Sequence, residues 1–335
     1  MIKVAINGFG RIGRMAFREM ITGTTFDIVA INDLTEAEEL AYLLKYDTNH
    51  RTFHEDLIDF DNDELVINKR KRIKVYKEKN PSNLPWKELN VDLVLECTGL
   101  FTNYEDAKKH IDAGAKKVLI SAPAKDGIKT IVYGVNDEEL TSDDQIISGA
   151  SCTTNCLAPV LKIIEKHFGI EKGFMSTIHA YTNDQATLDV PHKKGIKMRR
   201  GRAAAQNIIP TSTGVTKAIG EVIPELKGKL DGLAYRVPVS DGSICDLVLE
   251  LKTKVTEEEI NQALVNNQSD TLKVTFDPVV SSDIIGKKCG SLVDASLTNV
   301  LDVEGRQLVK IASWYDNEMG YTAQMLRTAK KMFER

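Results

Sequence analysis

Ile2-Lys3-Val4-Ala5-Ile6-Asn7-Gly8-Phe9-Gly10-Arg11-Ile12-Gly13-Arg14 reads as an apolar strand, a glycine-rich turn and the start of a helix. The helix signal is Ile12, Ala16, Phe17 and Met20 at helical spacing. Gly8, Gly10 and Gly13 form G-x-G-x-x-G in the strand-to-helix setting that gives the motif meaning. The first glycine permits the tight turn, the second lets backbone approach a pyrophosphate, and the third lets helix and strand pack closely. A second strand, Asp27-Ile28-Val29-Ala30-Ile31-Asn32, ends at Asp33, about twenty residues past Gly13, where an acid would read the adenosine ribose. A carboxylate there accepts from ribose hydroxyls and repels a 2′-phosphate, which favours NAD over NADP. A glycine-rich turn without a ligand is the competing reading of the motif alone. Strand, helix and acid in register weigh against it.

Outward from this stretch, a helix is expected over 36–46 and a hairpin over 65–77, with Asn68 to Arg72 as its turn. Further strands are expected at 91–99, 117–121, 130–135 and 145–148, and a helix at about 103–113. The alternation predicts an α/β domain over 1–150, a Rossmann-type, mostly parallel sheet with helices on its faces. Thr98, Gly99 and Ser121 fall at strand carboxyl ends, where such sheets bind ligands.

Beyond Phe168 the candidate strands (174–180, 232–239, 244–251, 291–297 and 308–314) alternate polar and apolar residues. They predict an α+β domain over 151–316 with a largely antiparallel sheet. Its helix at about 257–267 opens with a capping box, Thr256 to Glu259. A C-terminal helix over about 317–335 is expected to return to the first domain. The chain of 335 residues is long enough for two domains, and its 42% hydrophobic and 27% charged content is that of an ordinary globular protein. A formal net charge of −4 gives no general attraction to nucleic acid or anionic membrane. No apolar run reaches membrane-spanning length, and no signal peptide precedes the first strand. Five scattered cysteines suggest free thiols, no structural metal and a cytoplasmic location.

Ser148-Gly149-Ala150-Ser151-Cys152-Thr153-Thr154-Asn155-Cys156 places a thiol between hydroxyl residues, ahead of an apolar run at helical spacing. At a helix N-terminus the unpaired N–H groups and the dipole favour a thiolate. A structural cysteine in a Ser/Thr-rich cap is the other reading. Pro159 suits a first helical turn, which would leave Cys152 in a loop; otherwise the helix runs through the proline with a kink. His179, in Ile178-His179-Ala180-Tyr181-Thr182, is the one histidine both close to Cys152 in sequence and framed by hydroxyl residues. A cysteine nucleophile needs such a base. Arg236 is a cation in an otherwise apolar strand and calls for an anionic partner. Pro210-Thr211-Ser212-Thr213-Gly214 precedes a helix and reads either as a phosphate nest or as an ordinary cap. Residues 191–202 carry the densest basic run, without aromatic residues for base stacking.

Together these motifs resemble phosphorylating glyceraldehyde-3-phosphate dehydrogenases of the bacterial and eukaryotic type over the whole length. The signature is Ala150-Ser151-Cys152-Thr153-Thr154-Asn155-Cys156, followed by Asn207-Ile208-Ile209-Pro210, Arg236-Val237-Pro238 and Ser313-Trp314-Tyr315-Asp316-Asn317-Glu318. The resemblance implies Cys152 as nucleophile and His179 as base, with Thr182 and Arg236 on the substrate's C3 phosphate. It implies Ser151, Thr153, Thr213 and Gly214 on inorganic phosphate. Arg11, Ile12, Asp33 and Ser121 would contact NAD, and Asn317 would orient the nicotinamide amide. Lys79 stands where the family commonly has an arginine and is assigned to the adenine side. A homotetramer is implied, with the basic loop at a subunit interface and slightly longer than usual here. The expected reaction is glycolytic oxidation of glyceraldehyde 3-phosphate with inorganic phosphate and NAD. The alternatives are a related enzyme such as erythrose-4-phosphate dehydrogenase, or a secondary nucleotide- or RNA-binding role.

Overall fold

A computed structural model describes residues 1–192 and 195–334; Lys193 and Lys194 of the basic run, and Arg335 of the expected last helix, lie outside the described residues. The chain divides into two compact units. One comprises Met1–Ile131, Asp137–Ala150 and Met325 onward; the other comprises Val132–Asn136 and Ser151–Gln324.

The first unit contains β1 (Ile2–Asn7), α1 (Arg11–Ile21), β2 (Phe26–Asn32), α2 (Ala37–Lys45), β3 (Ile58–Asp61), β4 (Glu64–Ile67), β5 (Lys71–Tyr76), β6 (Leu93–Glu96), α3 (Tyr104–Asp112), β7 (Lys117–Ile120) and β8 (Ile146–Ser148). Its sheet runs β3-β4-β5-β2-β1-β6-β7-β8. From β5 to β8 all neighbours are parallel. That stretch has the 3-2-1-4-5-6 order of doubly wound dinucleotide-binding sheets, with the switch point between β1 and β6. Val4, Ile6, Ile31, Val94 and Leu119 are fully buried, as expected for parallel strands covered on both faces. The expected hairpin is β4 with β5. The antiparallel edge strand β3, with Asp59 and Asp61 exposed, gave too weak a pattern to read.

The strand expected at 130–135 does not form. Thr130 alone makes an isolated bridge to Ser148. Beyond it the chain turns, with Asn136 Oδ1 accepting the Val132 N–H at 2.9 Å and Gly134 at φ 77°. Glycine in the left-handed region cannot continue a strand.

The second unit contains α4 (Cys152–Phe168), β9 (Ile170–Ala180), β10 (Ile209–Ser212), α5 (Val215–Val222), β11 (Leu230–Val237), β12 (Ser243–Leu251), α6 (Glu257–Asn266), β13 (Leu272–Thr275), α7 (Ser281–Ile284), β14 (Ser291–Val303), β15 (Arg306–Tyr315) and the start of α8 (Met319–Lys331). Its sheet runs β10-β11-β9-β12-β15-β14-β13. The sheet is antiparallel except for β11 with β9 and β13 with β14. The short strands β10 and β13 were not legible in the sequence. The capping box is present: Thr256 accepts the Glu259 N–H at 3.2 Å, and Glu259 returns an acceptor to the Thr256 N–H at 2.8 Å.

One face of this sheet is covered by α4, which packs against β9, β12, β14 and β15. The register puts Phe174, Leu233, Leu301 and Leu308 together on the opposite face, and all four are exposed.

Candidate active site

The α4 helix begins at Cys152 and runs through Pro159. Ser151 is the N-cap: its Oγ accepts the Thr154 N–H at 3.1 Å and pairs with the Thr154 hydroxyl at 2.8 Å. The alternative start after Cys156 is therefore ruled out by a cap placed five residues earlier. Pro159 has no N–H for the Asn155 carbonyl. That carbonyl faces Gly290, where a Cβ would come within 2.8 Å of it. Ala150, just before the cap, has φ 59°, a strained left-handed turn that delivers the chain into the helix. Cys152 thus sits in the first turn, where backbone N–H groups remain unpaired.

Cys152 Sγ lies 3.4 Å from His179 Nε2. His179 ends β9, and its Nδ1 is 2.7 Å from the Ala180 carbonyl oxygen. A carbonyl can only accept, so Nδ1 carries the proton and Nε2 presents its lone pair to the sulfur. Burial and the Arg236 guanidinium push the imidazole down to about 3. Burial also pushes the Cys152 thiol up, against the opposing pull of Arg236 and the Thr153 hydrogen bonds. Both shifts favour a neutral thiol–imidazole pair.

Arg236 is opposite His179 in the parallel β11–β9 register. Its Nη1 donates to the Ala180 carbonyl at 3.0 Å and to Thr182 Oγ1 at 3.3 Å. The same carbonyl therefore serves the base and the cation. Arg236 Nε is buried without a partner, and among the described residues no carboxylate pairs with this guanidinium. Nearby Arg200 is matched instead: it donates to Asp184 at 2.7 Å and to Thr211 at 3.3 Å. An arginine without a carboxylate, beside a threonine and a nucleophile, is a place for an anion. The Thr213–Gly214 turn opens α5, which packs on α4; Thr213 Oγ1 accepts the Val215 N–H at 3.3 Å, and Gly214 caps with no side chain. The Thr153 hydroxyl is buried against the Tyr315 hydroxyl at 2.9 Å and lies 3.9 Å from Cys152 Sγ.

The dinucleotide turn of the first unit can be tested against NAD residue by residue. Gly8 has φ 91°, and a Cβ on it would lie 2.7 Å from the Thr98 nitrogen. A Cβ on Gly13 would lie 2.2 Å from the Gly8 carbonyl oxygen, so helix and turn touch. Gly10 faces open space, as a backbone that must approach a pyrophosphate requires. Asp33 follows β2, and its carboxylate accepts the Phe9 N–H at 2.7 Å and the Thr35 N–H at 3.0 Å. It thereby ties the acid to the glycine turn. Arg11 directs its guanidinium to Asp47, and Arg11 and Ile12 open α1 directly after the glycine turn. Ser121 follows β7 at a strand end, and Lys79 is exposed beyond β5. These features fit a bound dinucleotide.

Residues 2–104 match the family model for the glyceraldehyde 3-phosphate dehydrogenase NAD binding domain, and residues 151–317 match that for the C-terminal domain. Curated glyceraldehyde-3-phosphate dehydrogenases of Clostridium pasteurianum and Clostridium acetobutylicum are each 57% identical over 328 residues, 98% of this chain and 97% of theirs. That of Streptococcus pyogenes is 52% identical over 329 residues, with the same shares covered. The chain belongs to the glyceraldehyde-3-phosphate dehydrogenase family. It is an NAD-dependent oxidoreductase with the family's two-part, mixed α/β architecture.

This member of the glyceraldehyde-3-phosphate dehydrogenase family holds His179 and Asn317 with groups the sequence did not single out. Ser243 Oγ accepts the Ala180 N–H at 3.0 Å and donates to Asn317 Oδ1 at 2.7 Å. The Asn317 carbonyl is thus occupied, and its NH2 is left to donate. Tyr315 hydrogen-bonds Thr153 and Thr177, at 2.9 and 2.8 Å, and sets its ring edge-on to His179 at 5.9 Å. The only signal for Tyr315 was its place in the Ser313-Trp314-Tyr315 motif. Cys156 is one turn past Cys152 but buried, 3.7 Å from the Ser313 carbonyl. Burial pushes the Cys97 thiol up to about 12, away from the thiolate form. Among the described residues no helix is long and apolar enough to cross a membrane.

Proposed function

We propose that this chain oxidises glyceraldehyde 3-phosphate to 1,3-bisphosphoglycerate in glycolysis, reducing NAD and consuming inorganic phosphate. The observation that carries the reading is the 3.4 Å approach of Cys152 Sγ to an unprotonated His179 Nε2, with Arg236 beside it. In the first step sulfur adds to the aldehyde carbon while Nε2 takes the thiol proton and returns it to the new alkoxide. The unpaired N–H groups at the start of α4 stabilise that oxyanion as it forms. When bound, NAD accepts the hydride from the resulting thiohemiacetal carbon. His179 removes the hydroxyl proton as the carbonyl reforms, which leaves a thioester on Cys152. Phosphate attacks the thioester, the carbon–sulfur bond breaks, and the thiolate departs to retake the proton from Nε2.

Arg236 and Thr182 hold the substrate phosphate in this reading. The N-terminus of α4 with Ser151, and the Thr213–Gly214 turn, hold the attacking phosphate. Asn317 donates to the nicotinamide carboxamide, and Asp33 and Lys79 line the adenosine side. Residues 1–150 form the NAD domain, 151–316 the catalytic domain, and the C-terminal helix belongs with the former. The exposed apolar sheet face around Phe174 supports a homotetramer, and five free thiols support a cytoplasmic protein. Steady-state NADH formation tests the reading. Rates should be far higher with glyceraldehyde 3-phosphate than with erythrose 4-phosphate, and should collapse without phosphate. A preference for erythrose 4-phosphate would reassign the substrate.

A further inference from the structure

A chain of buried polar side chains in the first unit joins the carboxyl ends of four parallel strands. Trp86, His110, Glu96 and Asn7 are fully buried, and Asn32 is 5% exposed. The Trp86 indole N–H donates to His110 Nδ1 at 3.0 Å, so the ring proton is on Nε2. Nε2 lies 3.1 Å from Glu96 Oε2, which also receives the Asn7 NH2. Glu96 Oε1 receives the Thr98 N–H at 2.8 Å and the Thr98 hydroxyl. Four donors therefore converge on one carboxylate. The Asn7 carbonyl oxygen in turn accepts from Asn32 at 2.7 Å. Asn32 clamps the Glu78 backbone through its N–H and its carbonyl, both at 2.9 Å.

The groups at the ends of this chain sit where the cofactor turn is built. Asn7 precedes Gly8, Asn32 precedes Asp33, and Thr98 is the residue whose nitrogen would touch a Gly8 Cβ at 2.7 Å. Apolar residues of similar volume could pack such a space without the desolvation cost of a carboxylate, so stability alone does not account for the arrangement. We propose that Glu96, oriented by His110 and Trp86, is a positioning residue for NAD: it locks the Gly8 turn, the Thr98 turn and the Asp33 strand end into the spacing the dinucleotide requires. The proposal rests on the placement of NAD against the Gly8 turn. Glu96→Gln would set an amide NH2 against one of the four donors and release that spacing.

The test is titration calorimetry of NAD per folded molecule of the full chain, with Glu96→Gln, Trp86→Phe, Asp33→Ala and Val94→Ala. Val94 is fully buried in the same strand as Glu96 and lies outside the polar chain. Glu96→Gln should raise the NAD dissociation constant about tenfold or more and Trp86→Phe about threefold. The KM for inorganic phosphate should stay at the wild-type value in both. Val94→Ala should lose thermal stability without weakening NAD binding, which separates positioning from general destabilisation. If Glu96→Gln does not fold, Trp86→Phe decides. Wild-type affinity in these variants, with Asp33→Ala weakened, would overturn the proposal. An unchanged Asp33→Ala would instead show that NAD does not sit at this turn.

Discussion

His179 is kept neutral by its surroundings, and this has a consequence at acid pH. Its folded value is about 3, against 6.5 when unfolded. Below 6.5 the unfolded chain binds a proton that the folded chain does not, so stability falls as pH falls from about 6.5 towards 3. The slope from this one group approaches about 1.4 kcal/mol per pH unit. Urea unfolding at pH 7 and pH 5 should therefore show a smaller acid loss in His179→Asn than in the wild type; parallel losses would refute the assignment of the burial cost. In the same variant, kcat should drop by about 10²- to 10⁴-fold, the usual worth of a positioned base. Arg236→Lys loses the forked donor set and should raise the KM for the phosphorylated aldehyde about 10- to 100-fold. Unphosphorylated glyceraldehyde should be turned over as before; equal losses for both would place the phosphate elsewhere. At this scale the sequence singled out Cys152, His179 and Arg236, which the structure brings together, because each is a chemically distinctive side chain in a marked setting. It could not reveal Ser243 or the Ala180 carbonyl, whose roles depend on strand register and a backbone atom.

Elements were legible wherever a local signal fixed them. The glycine spacing marked the β1–α1 turn, and Gly13 illustrates why. Gly13→Ala would place a Cβ about where it overlaps the Gly8 oxygen, 2.2 Å away. NAD binding should be lost in that variant, while alkylation of Cys152 by iodoacetamide continues; retained NAD affinity would show that the close packing is not required. Pro159, by contrast, left two helix starts open. Proline is costly inside a helix because a carbonyl loses its donor, yet here the Ser151 cap and the buried Leu157, Val160 and Leu161 hold the helix through it. The short strands β10 and β13 are four residues each and lack alternation of their own. They exist because a neighbouring strand offers an edge, which is tertiary information.

For the whole molecule, the two classes of sheet followed from the pattern of apolar residues, continuous in the first half and alternating in the second. Strand order did not follow, because it depends on which edges meet. The exposed face carrying Phe174, Leu233, Leu301 and Leu308 bears on assembly. Phe174→Glu with Leu308→Glu should convert the proposed tetramer to smaller species in sedimentation velocity, and an assembly unchanged from the wild type would place the interface elsewhere. The central claim is that Cys152 carries the acyl group between oxidation and phosphorylation. Mixing the protein with glyceraldehyde 3-phosphate and NAD, without phosphate, should give a burst of about one NADH per active site and then stall. Peptide mass spectrometry of the stalled protein should find the 3-phosphoglyceroyl adduct on Cys152, discharged on adding phosphate. A burst with Cys152 unmodified, or steady turnover without phosphate and with no thioester, would contradict it.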